Sequence, residues 1–481
     1  MIKMQFEKSL DSLLEDVLSI CVDSRLVKPG DLFVCIPCER EIENIAQAIA
    51  NGATVILGQP KVLSSFTNQV KCVEHANPRL ALSLLAKAYF KIQPSILVAV
   101  TGTNGKSSVV SLVRQFWQLL GHKAASFGTV GLEIDPLHIP DDLPKVPPLT
   151  TYDSLSFFKL LQNLAAAKIN HVAFEASSHG LEQYRIHGSA LAVAGFTNLT
   201  QDHLDYHLTM ESYLEAKTKL FTEVLASNNP AVLNANSPYF ERLASVISNP
   251  IISYGVDIKA DLFATNVRIY GAKIIFDLRY HNQVFGDITL NLAGSFQVEN
   301  VLCAIAMVIG AGESLDSILP LVPLLKSVNG RMEFIGSTPT GADVYVDYAH
   351  TPDALERALI SLRAHTEGRV WVVFGCGGDR DITKRPIMGK IAADLSDKVI
   401  VTDDNPRNED PASIRRQVIG NFGFKEIADR SHAIMYCVAH LEKGDSLLIA
   451  GKGHEMGQII GDKTYPFSDK QQAEIVLAGM K

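Results

Sequence analysis

The sequence predicts an α/β protein of three domains: a central P-loop-type, doubly wound, mostly parallel sheet with an antiparallel addition, a small α/β N-terminal domain and a Rossmann-like C-terminal domain. Three observations carry this. The chain has 481 residues, more than one hydrophobic core usually organises. Short apolar runs of strand length alternate with stretches of helical periodicity along most of it. Finally, the apolar run Ile96-Leu97-Val98-Ala99-Val100 leads directly into Thr101-Gly102-Thr103-Asn104-Gly105-Lys106-Ser107-Ser108, in the order strand, glycine loop, helix that a phosphate site requires.

Taken in order, residues 1–93 read as an α/β unit with strands over 31–36 and 54–57 and a helix over 45–51. Pro94 marks a boundary. Residues 94–330 form the central domain, where strands over 172–175 and 192–197 alternate with helices. Strand-like runs over 261–292, separated by Tyr270-Gly271 and His281-Asn282, make the antiparallel addition. Residues 331–481 alternate strands over 344–348, 370–374, 399–402 and 447–449 with helices. This last unit carries no G-x-G-x-x-G fingerprint, so a nicotinamide cofactor is not indicated. Internal repeats and low-complexity segments are absent.

Composition narrows the class. With 47% hydrophobic and 20% charged residues and no bilayer-length apolar stretch, the chain reads as soluble, without membrane insertion. Residues 1–7 lack the apolar core of a signal peptide, so a cytoplasmic protein is expected. A net charge of −8 argues against a broad nucleic-acid surface but leaves room for local basic pockets. The seven cysteines are odd in number and scattered, as for reduced thiols, and Cys35-Ile36-Pro37-Cys38 has no second pair to complete a zinc site.

The glycine loop is the sharpest local signal. Backbone N–H groups and the positive end of the following helix converge where phosphate oxygens fit. Lys106 would reach the β- and γ-phosphates, and the Ser107 hydroxyl would coordinate magnesium. Val100 stands where the general pattern has its first glycine. The required helix follows, with Val109, Leu112, Val113, Phe116 and Leu120 at helical spacing and Gly121 as its C′ residue. The competing reading is a bare turn, which does not require lysine and serine together.

Over 210–224, helical steps of 100° place Tyr213, Leu214, Leu220, Phe221 and Val224 on one stripe, with Lys217 near its centre and Lys219 opposite. Lys217 therefore points inward. A buried ammonium must find carboxylates, snorkel out or be chemically changed. Upstream, Glu175 and His203 each follow an apolar strand, and a carboxylate with an imidazole at such strand ends can hold magnesium. The alternatives are a capping glutamate and a hydrogen-bonded core histidine. Ser178-His179 lacks the G-x-S-x-G elbow of a serine hydrolase.

In chain order, residues 101–108, Glu175 to His179, 197–205 and Glu215-Ala216-Lys217 resemble the Mur ligases, builders of the peptide stem of bacterial cell-wall precursors. Gly330-Arg331-Met332-Glu333, Asp347-Tyr348-Ala349-His350-Thr351-Pro352-Asp353, Gly375-Cys376-Gly377-Gly378-Asp379-Arg380-Asp381, Asp404-Asn405-Pro406-Arg407 and Gly451-Lys452-Gly453-His454-Glu455 are similar to the branch adding the third stem residue. The resemblance covers all three domains. It implies an ATP- and Mg2+-dependent amide ligase acting on UDP-N-acetylmuramoyl-L-alanyl-D-glutamate through an acyl phosphate that a diamino acid opens.

The same resemblance assigns roles. Gly102, Thr103, Asn104, Gly105, Lys106, Ser107, Ser108, Asn300, Arg331, Asp347 and His350 would meet ATP. Ser107 and Glu175 would serve one magnesium, and His203 with a carbamylated Lys217 the second metal site. Ser24, Thr150, Thr151, Ser177, Gln183 and Arg185 would hold the UDP-muramoyl-peptide. Arg380, Asp404, Asn405, Pro406, Arg407, Gly451 and Glu455 would form the amino-acid pocket. Arg407 points to meso-diaminopimelate, whose second carboxylate a guanidinium grips through two parallel hydrogen bonds. The loop over 37–44 departs from the family's longer glycine-containing turn. The expected enzyme is a monomer using small-molecule substrates. Rival readings are an L-lysine-adding Mur ligase, a folylpolyglutamate synthetase and an ATP-driven binding module.

Overall fold

A strand covered on both faces reads as an unbroken apolar run, and Ile96–Thr101 obeys, with every residue after Ile96 buried. The structure, a computed structural model, describes residues 10, 12–15, 17–135, 149–270 and 273–480. The reading of residues 1–7 and the Gly271 half of one turn lie outside them. The described chain divides into two compact units. Among the described residues no helix is long and apolar enough to cross a membrane.

One unit takes in the described residues up to 99, with 122–194 and 216–229. Its N-terminal part is a four-stranded parallel sheet, Ile20–Cys21, Leu32–Val34, Val55–Gly58 and Lys71–Glu74, in chain order. The strands expected over 31–36 and 54–57 are present but shorter, and the helix begins earlier, at Glu41–Ala50. Helix Pro78–Phe90 starts where Asn77 accepts from the Leu80 N–H, with Pro78 supplying the preset φ of a first helical turn. Leu32, Val34, Val55 and Leu57 form a core on one sheet face, and Phe33, Ile56, Ile45 and Ala48 another on the opposite face. Further along, His171–Glu175 runs parallel to Ala124–Gly128, which pairs antiparallel with Gly131–Ile134.

The other unit takes in residues 100–121, 195–215 and 230–480. Ala231–Asn234, Ile251–Val256 and Leu262–Tyr270 are parallel neighbours; Lys273–Tyr280 and Gln283–Leu290 then add antiparallel, as the hairpin spacing predicts. Helix Lys106–Leu119 packs against helix Gln297–Gly310, an element apolar nearly all round and buried accordingly. Gly121, at φ +89°, follows the first of these as expected.

From residue 333 a six-stranded sheet forms in the order Glu333–Ser337, Asp343–Asp347, Ser446–Ala450, Val370–Phe374, Lys398–Val401, Lys425–Glu426. All but the first are parallel. Leu355, Leu359, Met388 and Ile414 cover one face; Ile434, Val438, Ala473 and Leu477 cover the other. The motif loops 348–353, 375–381, 404–407 and 451–455 each leave the C-terminal end of a parallel strand. Open α/β sheets bind ligands at that edge.

One element departs from constant helical steps. The helix expected over 210–224 is an α-helix only over Met210–Lys219, and Leu220–Val224 continues as a π-helix. Such turns interrupt the i→i−4 ladder and recur at functional positions.

Candidate functional site

The glycine loop is braced from behind. The Thr103 N–H donates to the Asn198 carbonyl (2.8 Å) and the Asn104 N–H to Asn198 Oδ1 (2.9 Å). Asn198 Nδ2 and Thr197 Oγ1 return bonds to the Asn104 carbonyl at 3.2 and 2.6 Å. Gly102 and Gly105 have φ of +146° and +87°, and a Cβ there would lie 1.9 Å from Thr197 Oγ1 and 2.6 Å from Asn300 Oδ1 respectively. Only glycine satisfies both the left-handed backbone and the close approach. Lys106 Nζ folds over this loop, donating to the Gly102 and Thr103 carbonyls at 3.0 and 2.9 Å.

Beside the loop lies a cavity open to solvent. Asn104, Gly105, Ser108, Asn300, Arg331 and Asp347, all expected at a nucleotide, line it. Asn198, Asn234, Phe296, Glu299 and Arg357 also line it and were not singled out from sequence. Gly102, Thr103, Lys106, Ser107 and His350 are outside the lining, although Arg331 Nη2 donates to Ser107 Oγ at 2.9 Å. The Arg331 guanidinium stacks over the Tyr348 ring, 4.5 Å from its centroid. Asn104 Nδ2 donates to Asp353 Oδ2 (2.7 Å), a tie between two motifs 249 residues apart.

Asp347 is buried and accepts from the Met332 N–H at 2.6 Å. Burial pushes its carboxyl up to about 6, against the pull of Arg331 and the Met332 and Ala349 N–H groups. A folded value above the ordinary 3.8 means that the native chain holds the extra proton between the two. Its stability contribution therefore falls as pH rises through that window. From pH 4.5 to 7.5, wild-type stability should drop relative to Asp347→Asn by about 2 kcal/mol. Urea melts of both proteins across this range check it, and parallel pH curves would show an ordinary carboxylate.

His203 adopts φ +54°, a left-handed conformation uncommon outside glycine, at the start of the turn Leu204–His207. Its Nε2 lies 3.4 Å from Asp202 Oδ2. Burial opposes ionisation of Asp202, yet His203, His350 and Lys384 together hold its carboxyl below the usual range. His350 is pushed down, first by burial and then by Lys384, with Asp202 opposing. Lys384, absent from the motifs, donates to the His350 carbonyl at 2.9 Å. A cationic and anionic cluster thus gathers around two of the expected histidines.

In the first unit five of the expected substrate residues, Thr150, Thr151, Ser177, Gln183 and Arg185, form one network. Glu175, 1% exposed, accepts from the Thr129 N–H (2.8 Å) and the Thr129 hydroxyl (3.1 Å), which also lies 3.0 Å from Thr150 Oγ1. Thr151 Oγ1 donates to the Glu175 carbonyl and accepts from the Ser177 N–H, both at 2.8 Å. Arg185 donates to the Thr151 carbonyl (2.6 Å) and to Gln183 Oε1 (2.8 Å). The helix cap here is Ser177, which accepts from the Gly180 N–H, so Glu175 is no capping glutamate. Thr129 carries no sequence signal, because nothing local marks a threonine that becomes a neighbour only through strand pairing. Ser24 lies in the turn Ser24–Leu26 and donates to Gln47 Oε1 at 2.7 Å.

Lys217 is 1% exposed, which removes snorkelling from the alternatives. Lys219 behaves as the ordinary case, partly exposed and bonded to Glu182 Oε2 at 2.7 Å.

Around 404–407 the geometry is denser. Arg407, at φ +51°, donates from Nη1 to the Gly378 carbonyl at 2.8 Å. Burial, and next the neighbouring Arg380, lower its pKa; Asp404, Glu455 and Asp379 oppose them. Asp404 accepts the Asn405 N–H at 2.7 Å, and a Cβ on Gly451 would lie 2.7 Å from Asp404 Oδ2. Pro406 carries the chain between Asn405 and Arg407. The strand Gly457–Ile460 clasps this loop: the Arg407 N–H donates to the Ile459 carbonyl (3.1 Å), and Gln458 Nε2 to the Asp404 carbonyl (2.7 Å). Two guanidinia and three carboxylates around one loop suit a zwitterionic head group.

A phosphate-type glycine loop beside a cavity, followed by a parallel sheet whose loop ends gather charge, is the architecture of a nucleotide-binding α/β protein. The Mur ligase middle-domain model matches residues 100–308, and the Mur ligase glutamate-ligase-domain model matches residues 330–453. This chain belongs to the Mur ligase family. The UDP-N-acetylmuramoyl-L-alanyl-D-glutamate--2,6-diaminopimelate ligase of Agrobacterium fabrum is 42% identical to it, over 97% of this chain and 94% of its own. A solved structure of a ligase of that same name matches with a TM-score of 0.69 and 31% identity, covering 96% and 95% of the two chains. A MurF ligase from Thermotoga maritima, solved in complex with ADP, shares the fold at a TM-score of 0.62 and 16% identity, covering 96% of each chain.

Proposed function

We propose that this chain is an ATP-dependent ligase that joins meso-diaminopimelate to UDP-N-acetylmuramoyl-L-alanyl-D-glutamate in peptidoglycan precursor synthesis. The observation that carries the reading is the charged loop cluster at 404–407, where Arg407 and Arg380 both lie against Gly377, with Asp404, Glu455 and Asp379 opposite in charge. Lysine offers no second carboxylate to such a pair. The similar ligases of that name support the same choice.

In this reading the residues of the glycine loop hold the triphosphate, with Lys106 matching the charge on the transferring phosphoryl group. The substrate's D-glutamyl carboxylate attacks the γ-phosphorus, ADP leaves, and the amine then displaces phosphate from the acyl phosphate. Arg331, braced on Tyr348 and in contact with Ser107, offers a rigid cation on the nucleotide side. Thr150, Thr151, Ser177, Gln183 and Arg185 would orient the peptide carboxylate, helped by the network that ties them to Glu175. The domains are taken as 1–93 for the UDP moiety, 94–330 for ATP and 331–481 for the amino acid, in a monomer.

A hydroxyl at Ser107 and a buried carboxylate at Glu175 would serve one magnesium, and the His203 imidazole with a carbamylated Lys217 would serve the second. When bound, the ion supplies Lewis-acid neutralisation of phosphate charge. The burial of Lys217 supports its conversion to a carbamate by carbon dioxide, which exchanges a misplaced ammonium for an anion. Purified protein with ATP, magnesium and the UDP-muramoyl-dipeptide should release phosphate only when diaminopimelate is added. Efficient ligation of L-lysine with none of diaminopimelate would overturn the substrate choice, and ATP hydrolysis without any amino acid would indicate a binding module.

A further inference from the structure

Beneath the amino-acid pocket sits a lysine that no motif role uses. Lys452 has no exposed surface, and its Nζ donates to Asn405 Oδ1 (2.8 Å) and Glu455 Oε2 (2.9 Å). Those bonds orient the pocket. Asn405 Oδ1 also accepts the Ile459 N–H at 2.9 Å, so its Nδ2 is turned to Glu455 Oε2, again at 2.9 Å. Glu455 Oε2 is thereby used twice within the protein. Its Oε1 accepts no hydrogen bond among the described residues, and the side chain keeps 31% of its surface open.

Glu455 and Arg407 meet the same residue, Glu455 Oε2 accepting from Asn405 Nδ2 at 2.9 Å and Arg407 Nη1 lying 3.5 Å from the Asn405 carbonyl oxygen, so the carboxylate has a second option. Glu455 already feels the Arg407 guanidinium electrostatically. If it swung across, a bidentate pair would form between the two. The pocket would then neutralise itself, losing the cation meant for a carboxylate and the anion meant for an ammonium together. Arg430, buried and bonded in two places to Asp469, cannot follow Glu455 and hold it back.

We propose that Lys452 is a positioning residue for the amino-acid substrate, an internal counter-ion that holds Glu455 away from Arg407 and leaves Glu455 Oε1 facing the substrate's ammonium. Burying an ammonium is costly, and two short bonds to groups of the pocket itself make that cost productive. The inference rests on the proposed amino-acid pocket, though only on its ammonium end, which diaminopimelate and lysine share.

The test begins with wild-type enzyme and a choice of diaminopimelate or L-lysine, which checks the substrate reading alone. Lys452→Met is then assayed on whichever amino acid the wild type ligates. The KM for that amino acid should rise 30-fold or more. The KM values for ATP and the UDP-muramoyl-dipeptide should stay within twofold, and kcat at saturation within threefold. Lys452→Arg, which keeps the charge, should recover most of the affinity, and Lys452→Gln, which keeps only hydrogen bonds, less. Equal rises in all three KM values, a fall in kcat alone, or no change would each overturn the proposal. Should Lys452→Met fail to fold, Lys452→Gln carries the same comparison, and the same three results would overturn the proposal.

Discussion

Replacing Lys217 by alanine should lower kcat by about three orders of magnitude or more, with the fold retained, and short carboxylic acids should restore part of the loss. A thousandfold corresponds to about 4 kcal/mol of transition-state stabilisation, the scale on which charge neutralisation by an organised metal site operates. Lys217 is 1% exposed on a helix whose apolar stripe directs it inward. If it works as a carbamate, alanine removes an anion, and acetate or formate diffusing into the space replaces that anion. Steady-state rates with and without these acids measure the effect. Labelled carbon dioxide should give a carbonyl resonance in the wild type that the variant lacks. Absence of both rescue and resonance would leave Lys217 as a structural ammonium. Lys219→Ala is the control: its partly exposed pair with Glu182 should matter by less than about 1 kcal/mol.

The second large effect concerns Arg407. Arg407→Ala should reduce kcat/KM for diaminopimelate by a hundredfold or more while changing that for L-lysine little. A charge-assisted bidentate contact contributes roughly 3 kcal/mol or more, which a single truncation removes. Arg380 adds to this. Two neighbouring guanidinia repel, as the lowered Arg407 pKa records after burial itself, and a substrate carboxylate relieves that repulsion when it binds. Arg407→Lys keeps a charge but not the planar fork, and should recover only a small part of the affinity. Competition between the two amino acids, read by product mass, gives the ratio directly. An unchanged ratio would place specificity elsewhere.

Local pattern made much of this molecule legible. Unbroken apolar runs marked Ile96–Thr101 and Val370–Phe374, because strands covered on both faces leave no polar alternation. The glycine loop was readable because a left-handed backbone at Gly105 and a close approach at Gly102 leave a compositional trace. Lys217 was readable because one polar residue breaks an apolar stripe. Where the pattern failed, the reason was physical. The π-turn Leu220–Val224 does not follow from 100° steps, since a π-turn closes i→i+5 bonds and holds more residues per turn than an α-helix. Short edge strands such as Ile20–Cys21 carry too few residues to show a period.

Residue types at the loop ends, and the alternation that makes an α/β chain, were determined by the sequence by itself, because each depends on neighbours a few positions away. Folding in three dimensions was needed to bring Thr129 to Glu175, Asn104 to Asp353 and Lys452 to Asn405. These partners lie far apart along the chain or answer to a fold-wide arrangement of strands. Hydrogen bonds and ion pairs act over a few ångströms of space, and no periodicity in one dimension records which side chains three dimensions will bring that near.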